Sequence, residues 1–266
     1  MRVALGIEYD GAAFCGWQTQ PEACGVQDAL EAALSDIAAQ ETKTVCAGRT
    51  DASVHAVGQV VHFDTQVQRP LSAWVRGVNA VLPDAVAVRW AHVVGDEFHA
   101  RFSALSRRYR YFLLNRSQRP GLFGQYVGWF HAGLDVELMQ SGARALVGEH
   151  DFSTFRAADC QAKNPVRTVH DLRIQSQGDV VCVDITANAF LQHMVRNIVG
   201  ALVYVGCARQ PPEWIAQILE QRDRSQAAPT FSPNGLYLSS VGYASHWGLP
   251  ESSTDTPASV LLATSG

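Results

Sequence analysis

The sequence predicts an α+β protein of two ferredoxin-like lobes, each with a mainly antiparallel sheet, and a cleft between them. Three observations lead there. Short runs of alternating apolar and polar residues mark half-buried strands, and apolar residues at helical spacing separate them. Their order from the N-terminus is β-α-β-β-α-β, the split pattern of that fold. The same order begins again near residue 105, although the two halves share no clear residue identity. The expected domains are an N-terminal lobe over 1–104, a C-terminal lobe over 105–247, and a Ser-, Thr- and Ala-rich tail over 248–266 expected to be disordered.

Each element has its own signal. Val3, Leu5, Ile7 and Tyr9 alternate with Ala4, Gly6, Glu8 and Asp10, which predicts a strand ending at the Asp10-Gly11 turn. Val26, Leu30, Ala33, Leu34 and Ile37 predict one face of a helix from about Gly25 to Ala39. Strands at Lys43–Ala47 and Gly58–Asp64 follow. A helix is expected over Pro70–Val81 with Leu71, Trp74, Val75 and Val78 inward, because Pro83 stands beyond its end. Val86, Val88 and Trp90 then alternate again. In the second half, Ser106–Asn115 alternates Tyr109, Tyr111 and Leu113 against Arg108, Arg110 and Phe112. After a Gly- and aromatic-rich connection, Val136, Met139, Ala143 and Leu146 predict a helix that stops near Gly148. Thr168–Gln175 and Asp179–Ala187 predict a hairpin, and Val195, Ile198, Val199, Leu202 and Val205 a helix over Gln192–Val205. An inserted helix after Pro211-Pro212 precedes the last strand, Leu236–Tyr243.

Composition bounds the function. The chain has 266 residues, 47% hydrophobic and 17% charged, which fits a soluble globular protein with one large core or two smaller ones. No apolar run approaches the ~20 residues that span a bilayer. The N-terminus enters a strand pattern directly, so no signal or transit peptide is expected and the cytoplasm is the expected compartment. Six cysteines without a C-x-x-C pair are expected to be free buried thiols, and nine histidines without ligand spacing argue against zinc. The net charge of −4 argues mildly against a nucleic-acid partner. Yet Arg107, Arg108, Arg110, Arg116 and Arg119 crowd one stretch, and arginine binds phosphate bidentately and stacks on bases. From composition alone, a solvated strand fits this stretch equally well.

The densest polar chemistry lies in Ala47–Ala56, AGRTDASVHA, between two expected strands. Loops on rigid scaffolds carry function disproportionately. A carboxylate, Asp51, close to Arg49 suits a nucleophile or general base. It also suits an aspartate that bonds its own backbone in a turn. Taken by themselves, these residues favour the turn.

The wider string shifts that balance. GRTDASVHA followed by GQVVHFDT closely resembles the signature of the tRNA pseudouridine synthase A family. YDGAAFCGWQ (Tyr9–Gln18), FHARFSA (Phe98–Ala104), RRYRY (Arg107–Tyr111), HMVRNIVG (His193–Gly200) and GLYL (Gly235–Leu238) match in the family's order across most of the chain. One departure is Ser53, where the family usually has glycine. If that position needs φ > 0, serine costs on the order of 1 kcal/mol.

The resemblance implies isomerisation of uridine to pseudouridine at positions 38, 39 and 40 of the tRNA anticodon stem and loop. It also implies a homodimer, and a catalytic cleft between two α+β lobes whose sheets join. The reaction breaks the N1–C1′ bond and forms C5–C1′, so it needs no cofactor and no metal. The sequence agrees in having no G-x-G-x-x-G, no P-loop and no metal cluster. Asp51 matches the family's essential aspartate, the nucleophile. Arg196 matches the arginine that pairs with it, Tyr109 the tyrosine that packs on the target base, and Leu236 an apolar residue of the uracil pocket. Arg49 is a candidate phosphate or loop contact. Tyr111 reads as core, and His55 and His193 as structural. Two other classes are weighed against this one. A non-catalytic RNA-binding module does not need Asp51, Tyr109 and Arg196 together. A carboxylate-based hydrolase wants a second acid, which these motifs lack.

Overall fold

A computed structural model describes residues 1–250, so the expected disordered tail lies, from residue 251 on, outside the described residues. The chain groups into two units, Met1–Ser106 with the segment that begins at Tyr237, and Arg107–Leu236. The first change of unit falls between Ser106 and Arg107. The last strand, however, belongs with the first unit and not with a lobe running to residue 247. Main-chain pairing is the cause, since Tyr237 and Leu238 pair in parallel with His55 and Ala56. Both units are mixed α/β, with largely antiparallel sheets.

In the first unit, β1 (Arg2–Tyr9) lies between β3 (His55–Asp64) and β4 (Val86–Val94), antiparallel to both. β10 (Leu236–Tyr243) adds to the other side of β3. β1 and β3 are buried on both faces, Ala4 and Gly6 included, so the half-buried alternation expected for β1 does not hold. Helix α1 (Val26–Ala38) starts where the Asp28 carboxylate accepts the Gly25 N–H at 2.9 Å, and it buries Val26, Leu30, Ala33 and Leu34. β2 (Val45–Cys46) is shorter than expected because the residue before it is bound to α1 instead. The Thr44 N–H and hydroxyl donate to the buried Glu31 carboxylate at 2.8 and 3.0 Å. β3 starts at His55 rather than Gly58, so part of the polar motif is already strand.

The helix expected over Pro70–Val81 contains a π segment, Ala73–Gly77. Trp74, Val78 and Leu82 are buried, whereas Leu71, expected inward, is exposed. A π turn holds more residues than an α turn, so it rotates what precedes it away from the apolar face.

His62 on β3 gives this unit an acid sensitivity. Burial lowers its pKa from 6.5 to about 4, Arg2 and His99 reinforce the shift, and Asp64 opposes it. The neutral ring accepts the Ala100 N–H at Nδ1, 3.1 Å away. The unfolded chain therefore binds the extra proton between pH 6.5 and about 4, so stability is full above that window and is lost as pH falls through it. His62→Asn keeps an acceptor but does not titrate. Denaturant melts should show it losing about 2–3 kcal/mol less than wild type between pH 7 and 4. Parallel stability curves for the two proteins would contradict this.

In the second unit, β9 (Val180–Ala187) pairs with β5 (Ala104–Asn115) and with β8 (Val166–Gln177), forming the expected hairpin with β8. β7 (Gly148–Asp151) lies on the far side of β8, and β6 (Gly128–Phe130) runs parallel to the end of β5. Helices α2 (Val136–Ala143), α3 (Met194–Gly206) and α4 (Trp214–Gln221) supply Met139, Ile198, Leu202 and Ile215 to the core. Arg108 and Arg110 share a face, as alternation predicts. Both donate to Asp184 on β9, Arg108 from Nε at 2.7 Å and Arg110 from Nε at 3.0 Å. The pair is thus held on a strand carboxylate, not presented as the bare phosphate-binding face their crowding brings to mind.

The cysteines also differ from expectation. Cys15 and Cys24 form a disulfide, with Cα atoms 5.4 Å apart. Their nine-residue separation hides the pair from a search for close spacing, but a turn brings the Cys15 N–H to the Cys24 carbonyl at 2.9 Å. Of the four free thiols, Cys46 and Cys182 are buried, while Cys160 and Cys207 are half-buried. Burial pushes Cys46 and Cys182 up to about 12, against the nearby Arg49 and Arg101 in the case of Cys46.

Candidate active site

The polar motif forms a loop braced on both sides of Asp51. On its N-terminal side, the buried Thr50 hydroxyl lies 2.8 Å from the Tyr9 hydroxyl. The Thr50 carbonyl accepts the Trp17 N–H at 2.9 Å. Gly16 makes that approach possible. It has φ +104°, and a Cβ there would stand 2.9 Å from the Thr50 carbonyl oxygen, so only glycine fits comfortably. On the C-terminal side, the Ser53 N–H donates to the Gly11 carbonyl at 3.2 Å and the Val54 N–H to the Asp51 carbonyl at 3.1 Å. His55 is buried and stacks on Tyr237, with Nδ1 3.1 Å from both the Gly11 N–H and the Asp10 carboxylate.

The loop closes through Ser53 in the left-handed region, φ +63°. That is the condition under which serine costs about 1 kcal/mol relative to glycine, and the surrounding hydrogen bonds hold it there. Asp51 is half-buried, Ala52 exposed and Arg49 exposed. The loop thus presents a carboxylate and a guanidinium from an otherwise immobilised backbone.

Tyr109, Arg196 and Leu236 belong to the second unit. Tyr109 is buried on β5 with its ring edge-on to Phe190, centroids 5.0 Å apart. Arg196 is half-buried in the first turn of α3 and donates from Nε to the Phe231 carbonyl at 2.9 Å. The Phe231 N–H returns a bond to the Arg196 carbonyl at 3.2 Å. The chain from Phe231 to Leu236 is pinned further by Tyr111, whose hydroxyl donates to the Ser232 carbonyl at 2.8 Å, and by the Phe112 N–H on the Gly235 carbonyl at 2.9 Å. Burial raises the Tyr111 pKa, and the nearby Arg196 charge opposes the rise. Within this unit one pinned segment therefore joins the neighbourhoods of Arg196 and Leu236. Among the described residues no group of three or more His, Cys, Asp or Glu side chains is arranged to hold a metal ion.

A family model described as tRNA pseudouridine synthase matches residues 6–103 and 143–244. The chain belongs to that family. It is accordingly a pseudouridine synthase, an isomerase. Among curated relatives, the tRNA pseudouridine synthase A of Dechloromonas aromatica is 58% identical over 96% of this chain and 97% of its own. That of Aromatoleum aromaticum is 59% identical over 94% and 95%. That of Nitrosomonas eutropha is 55% identical over 98% and 94%. The first matched stretch contains Arg49 and Asp51 and the second Arg196 and Leu236, while Tyr109 falls between them.

Tyr9, Thr50, Trp17 and Gln59, which hold the Asp51 loop, carry no role in the family motifs as matched above. Gln59 is an amide in the middle of a strand of buried residues, where an unpaired polar group is costly. No helix among the described residues is long and apolar enough to cross a membrane.

Proposed function

We propose that this enzyme converts uridine to pseudouridine in the anticodon stem and loop of tRNA, at positions 38, 39 and 40, with Asp51 as nucleophile and no cofactor. The observation that carries this reading is the Asp51 loop itself, a half-buried carboxylate on a backbone bonded at residues 50, 53 and 54 and flanked by the buried His55 ring. A fixed carboxylate suits attack on a reactant that must be held in place. Family membership supports the substrate, because the matching relatives are named for tRNA. The strand order β4-β1-β3, with β2 on β3, supports a ferredoxin-like first lobe.

In this reading Arg196 pairs with Asp51 and aims it, Tyr109 stacks on the uracil, Leu236 lines its pocket and Arg49 contacts the RNA backbone. The target uridine must leave its stack to react, and an aromatic face offsets part of that cost. The enzyme acts in the cytoplasm as a homodimer. To test the reading, unmodified tRNA is incubated with the enzyme and pseudouridines are mapped by sequencing. Modification confined to positions 38, 39 and 40 supports it, and modification elsewhere overturns the assigned target.

Tyr109 yields a separate expectation. If stacking is its contribution, Tyr109→Phe keeps most single-turnover activity while Tyr109→Ala loses roughly 10- to 100-fold, since base–aromatic stacking is worth about 1–3 kcal/mol. If the hydroxyl assists removal of the C5 proton, Phe alone loses about 100-fold or more. Full activity in both variants removes Tyr109 from the site.

A further inference from the structure

We propose that Gln59 is a positioning residue for the isomerisation, setting the geometry of the Asp51 loop through an amide clamp on Gly48. β2 and β3 pair at Val45–His62 and Cys46–Val61, and the Ala47 N–H still reaches the Val60 carbonyl at 2.8 Å. At Gly48 the main chain leaves the sheet, and the Gln59 side chain takes over. Its Nε2 donates to the Gly48 carbonyl at 2.6 Å, and its Oε1 accepts the Gly48 N–H at 3.3 Å. Only a primary amide offers donor and acceptor side by side in this way, and asparagine is one carbon shorter.

The clamp extends toward Asp51. Gln59 Nε2 lies 3.4 Å from the Tyr9 hydroxyl, which lies 2.8 Å from the Thr50 hydroxyl. Gln59 is fully buried and Tyr9 and Thr50 nearly so, and water does not replace a lost bond at such sites. The clamp therefore fixes both residue 48, where the loop departs, and residue 50, next to the carboxylate. Arg49 lies between those two fixed points. A merely structural amide would stabilise the fold without its loss falling on the chemical step.

This inference rests on Asp51 being the nucleophile, so the test runs Asp51→Asn alongside. Gln59→Met has similar volume and no hydrogen-bonding groups. It should lower the single-turnover rate at saturating tRNA by about 100-fold, as expected when a reacting group is displaced by an ångström. Its tRNA Kd should stay within about threefold of wild type. Thr50→Val should lower the rate in the same sense, and the double variant should be little worse than Gln59→Met, because the residues act as one unit. Where Gln59→Met fails to fold, Tyr9→Phe decides, since it removes only the bridging hydroxyl and should slow the same step by about 10-fold at unchanged Kd. A folded Gln59→Met with a wild-type rate overturns the proposal, as does a loss that appears equally in tRNA affinity. An active Asp51→Asn instead removes the nucleophile reading, whatever Gln59 does.

Discussion

Asp51→Asn is expected to abolish pseudouridine formation, by roughly four orders of magnitude or more, the scale on which loss of a covalent nucleophile registers. The substitution preserves shape and removes only the charge and the nucleophilic oxygen. The fold should be little affected, since asparagine matches the shape of aspartate and the loop is braced at Thr50, Ser53 and Val54 by bonds that this substitution leaves in place. Binding of tRNA should stay within about threefold, because phosphate contacts elsewhere position the RNA. The competing turn reading predicts the opposite result. Asparagine makes the same local turn as aspartate, so a purely structural residue 51 would leave turnover close to wild type. Residual activity above a few per cent is incompatible with Asp51 as nucleophile.

Arg196→Met should be the next most damaging change. A half-buried arginine whose Nε is held by the Phe231 carbonyl is restrained in direction, unlike an exposed arginine that contributes about 0–1 kcal/mol and tolerates replacement. If its charge serves the reacting carboxylate, turnover should fall by about 100- to 1000-fold, the range for removing one preorganised charged donor. Methionine retains the apolar stem, so the melting temperature and tRNA Kd should change little. Arg196→Lys keeps the charge and loses the planar fork, so its rate should lie between the two. Wild-type turnover in Arg196→Met would return it to the role of a latch between α3 and the Phe231 segment.

How far the sequence reveals this molecule depends on the range of the interaction. Alternation places β5 and the β8–β9 hairpin within a few residues, because a strand's burial pattern is local. Helix α3 is legible for the same reason, and Arg196 stands out in it as a charge among buried residues. What escapes depends on partners distant in sequence. β10 joins β3 through pairs nearly two hundred residues apart, which no local pattern announces. Asp184 captures Arg108 and Arg110 only because the β5–β9 register sets it opposite Arg110. The Gln59 clamp depends on where β2 leaves the sheet, and Leu71 is turned outward by a π segment that its apolar spacing does not reveal. The residues proposed to carry the chemistry are visible as motifs, while those that hold the Asp51 loop, Tyr9, Thr50 and Gln59, look like ordinary core.

The most direct measurement uses tRNA carrying tritium at uridine C5, incubated with chelator-treated enzyme. Isomerisation moves the glycosidic bond to C5, so the account predicts release of tritium to water in step with pseudouridine formation. No free uracil and no change in RNA mass beyond the exchanged hydrogen should accompany it. Asp51→Asn should release none. Tritium retained at C5, or free uracil appearing in place of pseudouridine, would contradict it.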